Sequence, residues 1–270
     1  MQFKVNAKFI LSGEHAVIRG AKAIAFPATN YEMKLIVSRQ KETLHYSMPV
    51  KFKNNIENII KFANSKFNLD ILSEYSFKVE SNIPVSCGFG SSAAISVLIS
   101  KFISQTYNIE NEIDLAIEIE NLLHGKSSGL DVYAIYYNKP IIFQIIGTQC
   151  FYEFIEPAFT PKFRIFMVDS EKTTRECISL VNTLFSTNLN SAKRLDSQMN
   201  LATNKCIYGI QNNDILTLAD GINLAARCFD DWGLITPKMK SKILEIYRNG
   251  AIACKPIGSG GGGGILALFE

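Results

Sequence analysis

Five consecutive glycines, Gly260 to Gly264, close the tract Gly258-Ser259-Gly260-Gly261-Gly262-Gly263-Gly264. Glycine loses more conformational freedom on ordering than any other residue, so such a tract resists folding unless something requires it. A flexible tail is the plain explanation. The apolar run that follows, Ile265-Leu266-Ala267-Leu268-Phe269, speaks against a tail because it calls for burial as a strand. A second apolar run, beginning at Ala251, precedes the tract. The pattern predicts a glycine-rich turn between two core strands, at a place where backbone can come close to a ligand.

A second such place is Pro84-Val85-Ser86-Cys87-Gly88-Phe89-Gly90-Ser91-Ser92-Ala93-Ala94, which follows a predicted strand and opens an apolar helix. Two glycines allow close backbone approach to an anion, and Ser91 or Ser92 can cap the helix. The helix start adds free amides and about half a positive charge. The segment also fits G-x-G-x-x-A, a weak dinucleotide fingerprint. Taken alone it reads equally well as a packed, serine-capped turn. Cys87 is a candidate reactive thiol near a positive helix end, or a packed one.

The stretch His124-Gly125-Lys126-Ser127-Ser128-Gly129-Leu130-Asp131 carries the Gly-Lys-Ser of a P-loop. The signature G-x-x-x-x-G-K-[ST] needs its first glycine at position 120. That residue is Glu120, and the residues after it continue a helix. Without that glycine the loop lacks the freedom to cradle phosphates. It is not a P-loop.

Strands are predicted over 3–10, 31–37, 75–79, 139–146 and 163–168. Amphipathic spacing places a helix over 53–67; a small, apolar-starting helix is predicted over 92–106, an acidic one over 110–123, and further helices near 174–186, 191–211, 214–228 and 237–249. The mixture indicates an α+β fold. A composition shift at Glu156-Pro157-Ala158-Phe159-Thr160-Pro161 suggests two lobes, 1–160 and 161–270. Lys plus Arg number 28 against 25 Asp plus Glu, too even a balance for a nucleic-acid or membrane-surface partner. Six scattered cysteines without C-x-x-C, and three histidines, disfavour a Cys/His metal site. With no signal-peptide stretch and no membrane-length apolar run, a cytoplasmic protein is expected.

Three segments stand in order: Lys8 to Gly20, which includes Gly13-Glu14-His15-Ala16-Val17; the serine-glycine loop at 84–94; and the glycine tract. This trio resembles the three motifs of the GHMP small-molecule kinases, and with H-G-x-x-S-G-x-D at 124–131 it is most similar to the mevalonate kinase branch. The resemblance implies a two-lobed fold, the N-terminal lobe like ribosomal protein S5 domain 2 and the C-terminal lobe ferredoxin-like. It implies ATP and Mg²⁺, with a homodimer left open. By motif position Asp131 would face the substrate hydroxyl beside Lys8. Ser92 and Glu120 would be the Mg²⁺ ligands, and Ser86, Cys87, Gly88, Phe89, Gly90, Ser91, Ser92 and Ala93 the ATP loop. Glu14 and His15 would lie near the acceptor, and Thr174 or Arg175 near its carboxylate. Each of these residues also has an ordinary structural reading on its own.

Departures from the family pattern are Ala7 and Ser86 where glycine is common, Phe89 for leucine, and Ile257 for threonine. The sugar kinases follow Gly-Glu-His with Asp-Tyr. Here Ala16-Val17 follow, better matched to a branched aliphatic alcohol, so mevalonate is the favoured acceptor, as in isoprenoid precursor synthesis. The alternatives are phosphomevalonate, for which Arg19, Lys22 and Lys126 are candidate cations, a sugar, or a catalytically silent metabolite-binding protein. A nicotinamide oxidoreductase would need Glu110 at a strand end, and Asn108-Ile109-Glu110 starts a helix instead.

Overall fold

The computed structural model of the chain describes residues 1–39, 50–125 and 127–270. Lys126, named above as a candidate cation, lies outside the described residues. The strands are β1 (Gln2–Ser12), β2 (Ala23–Ser38), β3 (Ser76–Ser81), β4 (Ile141–Ile146), β5 (Gln149–Phe154), β6 (Lys162–Val168), β7 (Ala253–Pro256) and β8 (Gly263–Phe269). The helices are α1 (Val50–Phe67), α2 (Ile71–Glu74), α3 (Ser91–Tyr107), α4 (Glu112–His124), α5 (Leu130–Tyr137), α6 (Thr174–Thr187), α7 (Leu189–Gln211), α8 (Ile215–Asp231) and α9 (Pro237–Arg248). Among the described residues no helix is long and apolar enough to cross a membrane.

The chain forms two compact units built from interleaved segments. The first holds 1–7, 28–83 and 90–138; the second holds 8–27, 84–89 and 139–270. Grouping by contact therefore does not cut the chain once. A division into lobes at 160/161 remains a proposal drawn from composition.

The first unit is organised around α3. Its Ala93, Ala94, Ile95, Val97, Leu98, Ile99, Phe102 and Ile103 are all buried, so the helix is apolar nearly all round, as a central helix must be. It packs on α4 and α5. Phe102 meets Phe3 of β1, Tyr75 just before β3, and Phe77 of β3 edge to face. β3 pairs antiparallel with the second half of β2, Leu35 opposite Val79 and Val37 opposite Phe77, which keeps both apolar sets on one face.

In the second unit β2 pairs with β4, and β4 with β5, both antiparallel. A separate antiparallel sheet has the order β6-β8-β7. Helices α7 and α8 approach closely through Gly209 and Gly221: a Cβ on Gly221 would stand 2.8 Å from the Ala202 carbonyl. Phe9, Phe26 and Phe163 form one aromatic cluster. Local chemistry starts the helices. Thr173 and Glu176 form a capping box at α6, Asn188 caps α7, and Thr236 with Pro237 opens α9.

Candidate active site

The second unit brings together the first motif, residues 84–89 of the second and the glycine tract. Lys8 of β1 is 1% exposed, and its Nζ donates to the Gly88 carbonyl at 3.2 Å. Its backbone amide donates to the Phe89 carbonyl, also at 3.2 Å. The glycine tract then packs backbone to backbone on the same loop. A Cβ on Gly258 would stand 2.6 Å from Gly88 Cα, and one on Gly263 would stand 3.0 Å from Cys87 Cα. The glycines of the tract are needed because no side chain fits between these backbones.

Three departures from the motif pattern have a local setting that fits them. Ser86 adopts φ +61°, the left-handed region glycine enters freely. Phe89 and Ile257 are both buried. Cys87 is half-buried: its Sγ donates to the Val85 carbonyl at 3.2 Å, and burial pushes its pKa up, the wrong direction for a reactive thiolate.

The turn after β1 carries Glu14 and His15. Glu14 is buried and accepts from Lys255 Nζ at 2.5 Å. Burial pushes the Glu14 carboxyl up and the Lys255 ammonium down, and their mutual contact pulls each back. His15 sits at φ +60°, its Nε2 3.0 Å from the Ser259 carbonyl of the glycine tract. A carbonyl only accepts, so Nε2 carries the proton. The ring stands edge-on to Phe229 and Trp232, and burial pushes its pKa down to about 4. At neutral pH this imidazole is uncharged.

Lys255 was not legible as a site residue, although a signal existed. It is a lysine inside an apolar run that must be buried, and such a lysine needs a partner. Thr174, in the first turn of α6, lies 3.4 Å from the Ser259 hydroxyl. Arg175 lines a shallow groove along the same helix with Ile178, Ser179 and Thr183. Arg19 makes a two-bond ion pair with Asp196, at 2.6 and 2.8 Å, and lies over the Phe185 ring.

The first unit holds the other candidates. The expected serine cap of α3 is absent: Gly90, at φ +72°, is the N-cap, and no side chain caps the helix. Ser92 Oγ instead donates to Glu120 Oε1 at 2.9 Å, and Ser96 Oγ donates to Oε2 at 2.9 Å. Ser91 opens the same turn, and Ala93 faces the core. Asp131 lies in the first turn of α5, after Gly129 as N-cap. The 124–131 stretch leaves α4 at Gly125, as expected of a chain that is not a P-loop. Glu110 lies between two helices and at no strand end, which removes the dinucleotide reading. A hydroxyl and a carboxylate oxygen side by side suit a hard, oxygen-liganded cation, so Ser92 and Glu120 fit Mg²⁺.

Residues 54–139 match the family described as GHMP kinases N terminal domain. The mevalonate kinase of Methanocaldococcus jannaschii is 26% identical over 100% of this chain and 92% of its own length. Among solved structures, L. major mevalonate kinase in complex with R-mevalonate superposes with a TM-score of 0.80 at 20% identity, covering 99% of this chain and 86% of that one. Streptococcus pneumoniae phosphomevalonate kinase superposes with a TM-score of 0.79 at 14% identity, covering 100% and 92%. Both likenesses show a shared α+β fold.

Proposed function

Residues 54–139 match the N-terminal domain of the GHMP kinases, and from that similarity we propose that the chain is a kinase of this superfamily that transfers the terminal phosphoryl group of ATP to mevalonate, giving 5-phosphomevalonate. The observation that carries the kinase reading is the junction in the second unit: a buried lysine bonded to the 84–89 loop, with the glycine tract laid against that loop.

Each proposed role follows from the chemistry of phosphoryl transfer, which depends on positioning and on charge stabilisation. The acceptor hydroxyl oxygen bonds to the terminal phosphorus while the bond to the bridging oxygen breaks and ADP leaves. Asp131 takes the hydroxyl proton, and Lys8 lowers the cost of the developing alkoxide. The 86–93 segment supplies backbone amides and a helix start for the phosphates. Ser92 and Glu120 would hold Mg²⁺, which when bound offsets phosphate charge.

Two features favour mevalonate. Ala16 and Val17 are buried apolar residues directly after His15, where sugar kinases carry polar groups. A phosphorylated acceptor would need spare cations, and the guanidinium of Arg19 is already committed to Asp196. Of the two candidates for the carboxylate, the contact of Thr174 with Ser259 of the glycine tract supports Thr174.

An ATP-consumption screen over mevalonate, phosphomevalonate, galactose and homoserine tests the reading. Mevalonate is expected to turn over, and Asp131→Asn to lower kcat by about 10²–10⁴ while ATP binding persists. A flat response across the panel would favour a silent metabolite-binding protein, and near-wild-type turnover by Asp131→Asn would remove that residue from the mechanism.

A further inference from the structure

We propose that Lys255 is a positioning residue: with Glu14 it forms a buried brace that fixes the turn after β1 against the start of the glycine tract. The consequence for turnover rests on the kinase reading above; the brace itself does not.

Lys255 lies in β7, every residue of which is buried, and its side chain is fully enclosed. The ammonium reaches Glu14 Oε1 at 2.5 Å and the Ile10 carbonyl at 3.3 Å, and it lies 5.2 Å from the centre of the Phe229 ring. One residue along, His15 makes a second tie, to Ser259. Two ties therefore join residues 10–15 to residues 255–259.

Stability alone does not account for the pair. Replacing a buried ion pair by apolar residues of similar volume is often neutral or stabilising. Here Glu14 Oε2 is also buried with no hydrogen-bond partner, a further cost. What the pair supplies is placement and charge. Glu14 feels both Lys255 and Lys8, so its carboxylate offsets two ammonium groups that would otherwise repel each other.

Lys255→Met alone leaves Glu14 buried without its cation and can fail to fold. The decisive variant is therefore the double substitution Glu14→Leu/Lys255→Met, compared with Glu14→Gln. The double variant is expected to melt at or above the wild-type temperature. Amide exchange in residues 10–20 and 256–264 should nevertheless run about tenfold faster, because local order is lost without global unfolding. Its kcat on mevalonate should fall about 10²-fold, as for a misplaced reacting group, with the KM for ATP changed far less.

Wild-type exchange in both segments would overturn the brace. Faster exchange with wild-type turnover would overturn its role in positioning. If the wild-type chain phosphorylates no acceptor, the kinase reading fails, and the exchange measurement still decides whether the brace exists.

Discussion

His15 shows how a single residue can link motif geometry to pH. Its ring is held neutral by burial, with its pKa pushed down to about 4 from 6.5, although the Ser259 carbonyl and Asp196 pull the other way. The sign follows from proton counting. Between about pH 6.5 and pH 4 the unfolded chain binds a proton at this residue and the folded chain does not. Stability therefore falls as pH drops through that window and flattens below it, by on the order of 3 kcal/mol for this one group. Urea unfolding of the wild type and of His15→Gln across this range should show a shallower acid slope in the variant. Equal slopes would mean that the ring takes up its proton as readily in the folded chain as in the unfolded one. At this scale Lys8, Glu14, Ser92, Glu120 and Asp131 were legible as candidates, their roles being proposals, because the motifs fix their order along the chain. Lys255 was not, because its partner lies 241 positions away and only folding brings the two together.

Elements were legible where periodicity was strong. α7, α8 and α9 begin and end within a few residues of expectation, because caps such as Asp214 and Thr236 mark their starts. α5 was missed. Its residues, LDVYAIYY, are mostly β-branched or aromatic and show no apolar stripe, so packing on α3 and α4 decides their state. β5, QCFYEF, is exposed along its whole length and gives no alternation to read. The glycine tract was legible as a turn with a positional reason, and the structure supplies the reason as close packing on the 84–89 loop. Gly258→Ala tests this. The residue has φ +74°, and the added Cβ would meet Gly88 Cα; Gly250, at φ +91°, has nothing within 4 Å of its Cβ position. Both alanines carry left-handed strain of about 1–2 kcal/mol. Only Gly258→Ala must also displace the loop, so its KM for ATP should rise about tenfold or more, equivalent to 1.4 kcal/mol. An unchanged KM beside that of Gly250→Ala would separate the tract from nucleotide binding.

At the scale of the whole molecule the α+β class could be read from alternating element types, but the grouping into units could not. β1 and β2 each run through both units, so the division falls within strands, where neither composition nor turn residues change. This grouping yields the most demanding test of the proposed roles, which fall on residues of both units. Ser92, Glu120 and Asp131 belong to the first; Lys8, Glu14 and the glycine tract belong to the second. A ligand that binds only the folded chain slows local opening wherever it makes contacts. If the roles are right, ATP with Mg²⁺ should slow amide exchange in α3 and α4 of the first unit and in residues 84–89 and 257–263 of the second. Omitting Mg²⁺ should weaken protection mainly around Ser92 and Glu120, whose oxygens are assigned to the cation. Protection confined to one unit would strike the other unit's residues from the site, whatever their match to the motifs.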